Sequence, residues 1–242
     1  MPMSESTPTT GGYRRGKIAV AVALVLAVLG GLAIVLGVVT QQSPPQLSDG
    51  AAGSLTRSQS SAPSEQEPTT EPATGGAEPD IKGPVLEPSK PVALAVPAIG
   101  VRSRLLHLGL QDDRSLEVPP EEPDSKAGWF NQSPTPGEAG PSILLGHVDS
   151  AEYGPAVFFE LTKLAKGDKV TVDRADGTTA VFRVDRTERY AKNEFPTHEV
   201  YGNIDHAGLR LITCGGEFDL EEGSYEDNIV TYATLQSSHP TT

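Results

Sequence analysis

Positive charge is scarce in this chain of 242 residues. Nineteen lysines and arginines stand against 32 acids, a formal charge of −13. That balance excludes a nucleic-acid binder working through bulk positive charge. Cysteine is rarer still: Cys214 stands alone, so no internal disulfide is possible. Aromatic residues make up only 5% of the chain, and the stretch from Pro44 to Pro91 is empty of them while holding nine of the 21 prolines. Such a stretch cannot bury enough apolar surface to offset its ordering entropy. The foldable part is therefore roughly the last 150 residues, a normal size for one domain.

One long apolar run is present. Ile18 to Val39 gives 22 consecutive residues without a charge or a strongly polar group. About 20 residues at 1.5 Å rise cross a bilayer core, whereas a cleavable signal peptide has an apolar core of about 7–15. No clear small-x-small cleavage site follows, so residues 18–39 read as a retained transmembrane anchor in the lipid bilayer. Arg14, Arg15 and Lys17 precede it, which predicts a cytoplasmic N-terminus at 1–17 and everything after about residue 40 outside the cell. Residues 40–89 carry seven acids, two bases and no hydrophobic period, the pattern of a disordered spacer.

The pattern changes near residue 90, and 90–236 reads as the folded domain, with 237–242 as a tail. Short aliphatic runs bounded by turn residues predict strands at Val92–Ile99, where Pro97 suggests an edge. Further strands are expected at Leu105–Leu110, Ser142–His147, Lys169–Asp173, Ala180–Asp185, Leu209–Cys214 and Asn228–Ala233. Asp176-Gly177 is a hairpin signal. Pro155–Leu164 reads as one short helix, with Val157, Leu161 and Leu164 on one face. Many short strands and few helices predict a mainly β fold, a closed or nearly closed barrel. The late acids, from Glu217 to Asp227, do not match the ligand spacing of a calcium loop, so no metal site is assigned.

Cys214 is the residue to explain. It ends an expected strand, Leu209-Arg210-Leu211-Ile212-Thr213-Cys214, and Gly215-Gly216 is expected to end that strand at once, leaving the thiol at a rim rather than in mid-core. A thiol nucleophile needs a base or cation to hold its thiolate. Among the five histidines, His239 lies in the tail, His206 in a turn, and His107 and His198 in ordinary surroundings. His147 likewise ends an apolar strand, Ile143-Leu144-Leu145-Gly146. The alternative for Cys214, a small core hydrophobe, stays open at this point.

These residues resemble the sortase family, the cysteine transpeptidases of Gram-positive cell walls. Leu211-Ile212-Thr213-Cys214 is similar to the family's strand ending in Thr-Cys, and Gly146-His147-Val148-Asp149-Ser150 to its histidine motif. Similarity extends through Ala127–Phe130, Gly154–Phe159 and Gly167–Val170, and is strongest to the actinobacterial class F, with class E as the near alternative. The resemblance implies an eight-stranded β-barrel, Cys214 as nucleophile, His147 as general acid and base, Thr213 beside the substrate and no cofactor. It implies surface proteins bearing a C-terminal Leu-Pro-x-Thr-Gly-like sorting signal, cleaved between Thr and Gly through a thioester, and a peptidoglycan-precursor amine as acceptor.

The chain departs from the family at one point. Sortases generally supply an arginine from the strand after the cysteine loop, yet no Arg or Lys follows Arg210 here. Aligning Gly223-Ser224-Tyr225-Glu226 to the family pattern sets Asn228 at that position. Arg210 shares the strand parity of Cys214 but lies about 13 Å away along an extended chain. Two other readings therefore stand beside the transpeptidase: a protein that binds sorting signals with little turnover, and a thiol hydrolase without an amine acceptor.

Overall fold

The structure, a computed structural model, describes residues 43–47 and 80–241. The expected anchor at 18–39 and most of the expected spacer lie outside these residues. Among the described residues no helix is long and apolar enough to cross a membrane.

The described chain is mainly β. Strands β1 (Pro91–Val96), β2 (Val101–Arg104), β3 (Leu106–Leu108), β4 (Gly128–Phe130) and β5 (Gly140–Leu145) come first. A small ribbon follows, β6 (Asp149–Ser150) with β7 (Gly154–Pro155). Strands β8 (Lys169–Arg174), β9 (Thr178–Ala191), β10 (Ala207–Asp219) and β11 (Ser224–Pro240) complete the fold. Apart from the ribbon they form one sheet in the order β2-β1-β8-β9-β11-β10-β5-β4-β3. The two ends of that order, β2 and β3, are neighbours in sequence, separated only by Leu105. That one extended segment pairs with β1 on one side and β4 on the other, so the sheet curls into a nearly closed barrel. Eight strands were expected; the sheet has nine because this closing segment breaks at Leu105, whose amide donates to Val92.

Period-2 alternation gives the sheet two buried faces. On β10, Leu209 and Leu211 pack with Leu94, Phe182, Ile229 and Leu235 on one face, while Ile212 packs with Ile143, Val200, Val230 and Tyr232 on the other. Each fully buried leucine contributes roughly 2 kcal/mol. The second face is covered by the connection between β9 and β10, through Phe195, Val200 and Tyr201. It carries the sole α-helix among the described residues, α1 (Thr197–Tyr201).

Several local expectations change. The predicted helix at Pro155–Leu164 is instead the end of β7, turns and one 3-10 turn at Leu161–Lys163; its apolar residues are held by the barrel rather than by helical hydrogen bonds. Pro97 does not mark an edge: β1 is paired on both sides, and the proline lies just beyond it, opening a 3-10 turn where its missing N–H costs nothing. Gly215-Gly216 does not end the cysteine strand. β10 runs on to Asp219, and a bulge between Gly215 and Phe218 absorbs the glycines. The hairpin at Asp176-Gly177 is present: Gly177 has φ +79°, and Asp176 accepts from the Thr178 amide at 2.9 Å.

Two stretches expected as spacer run along the barrel. Thr162 Oγ1 donates to Pro45 at 2.7 Å, and Gln46 Nε2 to the carbonyl of Gly216 at 3.2 Å. Lys82 pairs with Asp205 at 2.5 Å, and the buried Arg174 donates to the carbonyl of Glu87.

Candidate active site

Strand register aligns the segments that lead to the two sequence-predicted reactive groups. β5 and β10 run parallel, with Leu145 beside Ile212, and the Gly146 amide donates to the Ile212 carbonyl at 3.1 Å. The ladder ends there: His147 follows two residues after Leu145, as Cys214 follows two residues after Ile212. On its other side Cys214 is paired with Asn228 of β11, and Asn228 with Tyr190 of β9. Cys214 is half-buried and free of any disulfide.

The histidine is held at three points. Gly146 packs so closely that an added Cβ would stand 2.6 Å from Val157 Cγ1 and from Phe158 Cδ2. The His147 carbonyl accepts from the Phe158 amide at 3.0 Å. Its Nε2 lies 2.6 Å from the carbonyl oxygen of Pro119. A carbonyl can only accept, so Nε2 carries a hydrogen and Nδ1 is the basic nitrogen of the neutral ring. A small pocket beside the imidazole is lined by Glu121, Ser125, His147, Ser150 and Tyr153.

Burial pushes the Cys214 thiol up, because a thiolate is poorly solvated there; Lys192 opposes this and Asp149 adds to it. Each of those charges is anchored. Lys192 Nζ donates to Ser224 Oγ at 2.6 Å. Tyr225 Oη donates to Asp149 Oδ2 at 2.5 Å, and the Tyr225 ring meets Phe218 edge-on, centroids 5.1 Å apart. Burial and the Asp149 carboxylate together raise the Tyr225 phenol well above its ordinary value. The geometry provides a partly accessible thiol, an oriented imidazole and one charge of each sign, which is the equipment of acyl transfer through sulfur.

The other expected residues fall differently. Asn228 is directly across from Cys214, half-buried and neutral. Thr213, by alternation, points to the opposite face of the sheet from Cys214; it is 5% exposed and paired with Ile229. Arg210 is 5% exposed, its guanidinium 4.5 Å from the centre of the Tyr232 ring, on which the guanidinium of Arg186 also lies, at 3.7 Å. Desolvation pulls the Arg210 pKa down. Among the described residues, no cluster of His, Cys, Asp and Glu could hold a metal ion. Sequence reasoning did not find Pro119, Lys192 or Tyr225. Tyr225 had a weak signal in the stretch Gly223–Glu226; Pro119 and Lys192 had none, because each meets the site through the fold.

A family model described as the sortase domain matches residues 94–236. Among solved structures, sortase A of Listeria monocytogenes is 21% identical, over 63% of this chain and 91% of that one, with a TM-score of 0.46. Sortase C1 of Streptococcus agalactiae is 20% identical over 60% and 66%, TM-score 0.46. The SrtA sortase of Actinomyces oris is 20% identical over 62% and 81%, TM-score 0.45. No curated protein matches the sequence.

Proposed function

The chain belongs to the sortase family and is a cysteine transpeptidase, and from that premise we propose that Cys214 is its nucleophile and His147 its general acid and base. The observation that carries this is the parallel register of β5 and β10, which supports bringing imidazole and thiol together. In this reading Nδ1 of His147 takes the thiol proton, and the thiolate attacks the threonine carbonyl of a Leu-Pro-x-Thr-Gly-like signal. The tetrahedral intermediate collapses as the imidazolium protonates the departing glycine amine, leaving a thioester on Cys214. A second amine, from a peptidoglycan precursor, adds to the thioester and releases the sulfur. Two acyl transfers keep the bond energy available that hydrolysis would dissipate. Asn228 can offer a neutral hydrogen bond to the substrate, weaker than one from a guanidinium.

The same proposal includes anchoring through residues 18–39 with the catalytic domain extracellular, supported by the apolar run and the basic residues before it. It also includes membership of class F, or the nearby class E. A second reading, binding of sorting signals with little turnover, is favoured by the neutral Asn228 across from the thiol.

Incubating the protein with a quenched Leu-Pro-x-Thr-Gly peptide, with and without an added amine, tests these readings. An amine adduct supports the transpeptidase reading. Release of the free acid alone supports a thiol hydrolase, and binding without cleavage the second reading. Cleavage by Cys214→Ala at the wild-type rate eliminates Cys214 as nucleophile.

A further inference from the structure

We infer that Lys192 supplies the positive charge that sulfur and carbonyl oxygen need during acyl transfer, from a position fixed by Ser224. This rests on the reading of Cys214 as nucleophile. Acyl transfer through sulfur places negative charge first on the thiolate and then on the carbonyl oxygen, and a half-buried site solvates both poorly. β11 offers no cation, since no Arg or Lys follows Arg210, and its residue across from Cys214 is Asn228.

The neighbouring strand β9 carries the candidates. Arg183 donates to the carbonyl of Gly167 at 2.8 Å. Arg186 lies on the Tyr232 ring and pairs with Glu188 and Glu199. Arg189 sits 3.6 Å from Asp227 Oδ2. Lys192 is exposed and comes immediately after Ala191, whose row Gly215–Asp227–Ala191 is one step from the row Cys214–Asn228–Tyr190, so Lys192 stands two positions beyond Tyr190. Its Nζ contacts a neutral hydroxyl, Ser224 Oγ, and among the described residues no carboxylate pairs with it. No ion pair therefore draws the charge away, and it acts on Cys214 in the direction that favours the thiolate.

The groups that act on the thiol are Asp149 from β6, Tyr225 from β11 and Lys192 from the 3-10 turn after β9, with His147 in the segment after β5; Asp227 lies in the adjacent row, and Arg189 pairs with it. Tyr225 holds Asp149, the charge that works against the thiolate, just as Ser224 holds Lys192, the charge that works for it.

The test compares the full-length protein with its Lys192→Gln, Lys192→Arg and Ser224→Ala forms. Two readouts are used: the pH dependence of Cys214 alkylation by iodoacetamide, and kcat and KM on the quenched peptide. Lys192→Gln is expected to move the alkylation midpoint upward and lower kcat about tenfold to hundredfold with little change in KM. Lys192→Arg restores both, and Ser224→Ala falls between. Unchanged alkylation and kcat in Lys192→Gln overturn the inference. So does a fall in kcat with an unmoved alkylation profile, or with no rescue by arginine, since a purely structural role gives that result. Failure of the nucleophile reading shows separately, as cleavage that persists in Cys214→Ala.

Discussion

The Nε2–H of His147 is engaged by the Pro119 carbonyl at 2.6 Å, from a loop 28 residues earlier in the chain. This contact selects the tautomer and leaves Nδ1 as the bare nitrogen. In 15N NMR of the neutral enzyme, Nε2 should be the protonated nitrogen and Nδ1 the bare one. The opposite tautomer would remove Nδ1 as the base.

Cys214 titrates against its burial. Its alkylation midpoint is expected above that of a free cysteine, and Asp149→Asn, which keeps the Tyr225 hydrogen bond but drops the charge, should lower it and speed alkylation at pH 7. The sign for stability follows from linkage. A thiol raised on folding contributes stability that is fully present below the ordinary value of 9.0 and is lost as pH rises through the folded value. Denaturant titrations from pH 7 upward should show wild type losing more stability than Cys214→Ala; equal losses contradict the burial.

Gly146→Ala tests the close packing beneath the histidine. The new methyl would press on Val157 and Phe158, side chains that the barrel holds in place. Overpacking of this kind costs about 1–3 kcal/mol, to be read as a lower urea midpoint. Since His147 is the next residue, kcat should fall as well. A variant as stable and as active as wild type would show that the segment relaxes freely.

Arg210→Met asks whether that guanidinium meets the substrate. It is buried over Tyr232, and its Nε has no partner among the described residues. Loss of the stacked cation costs about 1 kcal/mol, partly offset by removing a desolvated charge. KM on the sorting peptide should stay within about twofold of wild type. A tenfold rise would put Arg210 in contact with the peptide.

The sequence carries the barrel well and the site by halves. Alternation along Leu209–Cys214 and the apolar run before His147 are local signals: β10 lies where its signal sets it and runs further, while β5 starts two residues earlier than expected and stops at Leu145, leaving His147 beyond its end. The run around Pro155–Leu164 misleads because three apolar residues at helical spacing can equally be pinned by turns against a core. α1 is the converse case: with Val200 as its buried residue, it has too little apolar period to announce itself. Contacts that anchor the site escape for a different reason. Asp149 and Tyr225 are 76 residues apart, and Lys192 and Ser224 are 32 apart. Such pairings belong to the closed sheet and leave no trace in any window of sequence.

The parallel pairing of β5 with β10 has a consequence for folding order. The intervening stretch, residues 146 to 206, must complete its own excursion before residues 207–212 can align beside 140–145. Parallel, long-range pairing of this kind forms slowly, because loop closure precedes its reward. The register that carries the segments of His147 and Cys214 therefore forms only late in assembly, and a nascent or partly collapsed chain carries a solvated, ordinary cysteine.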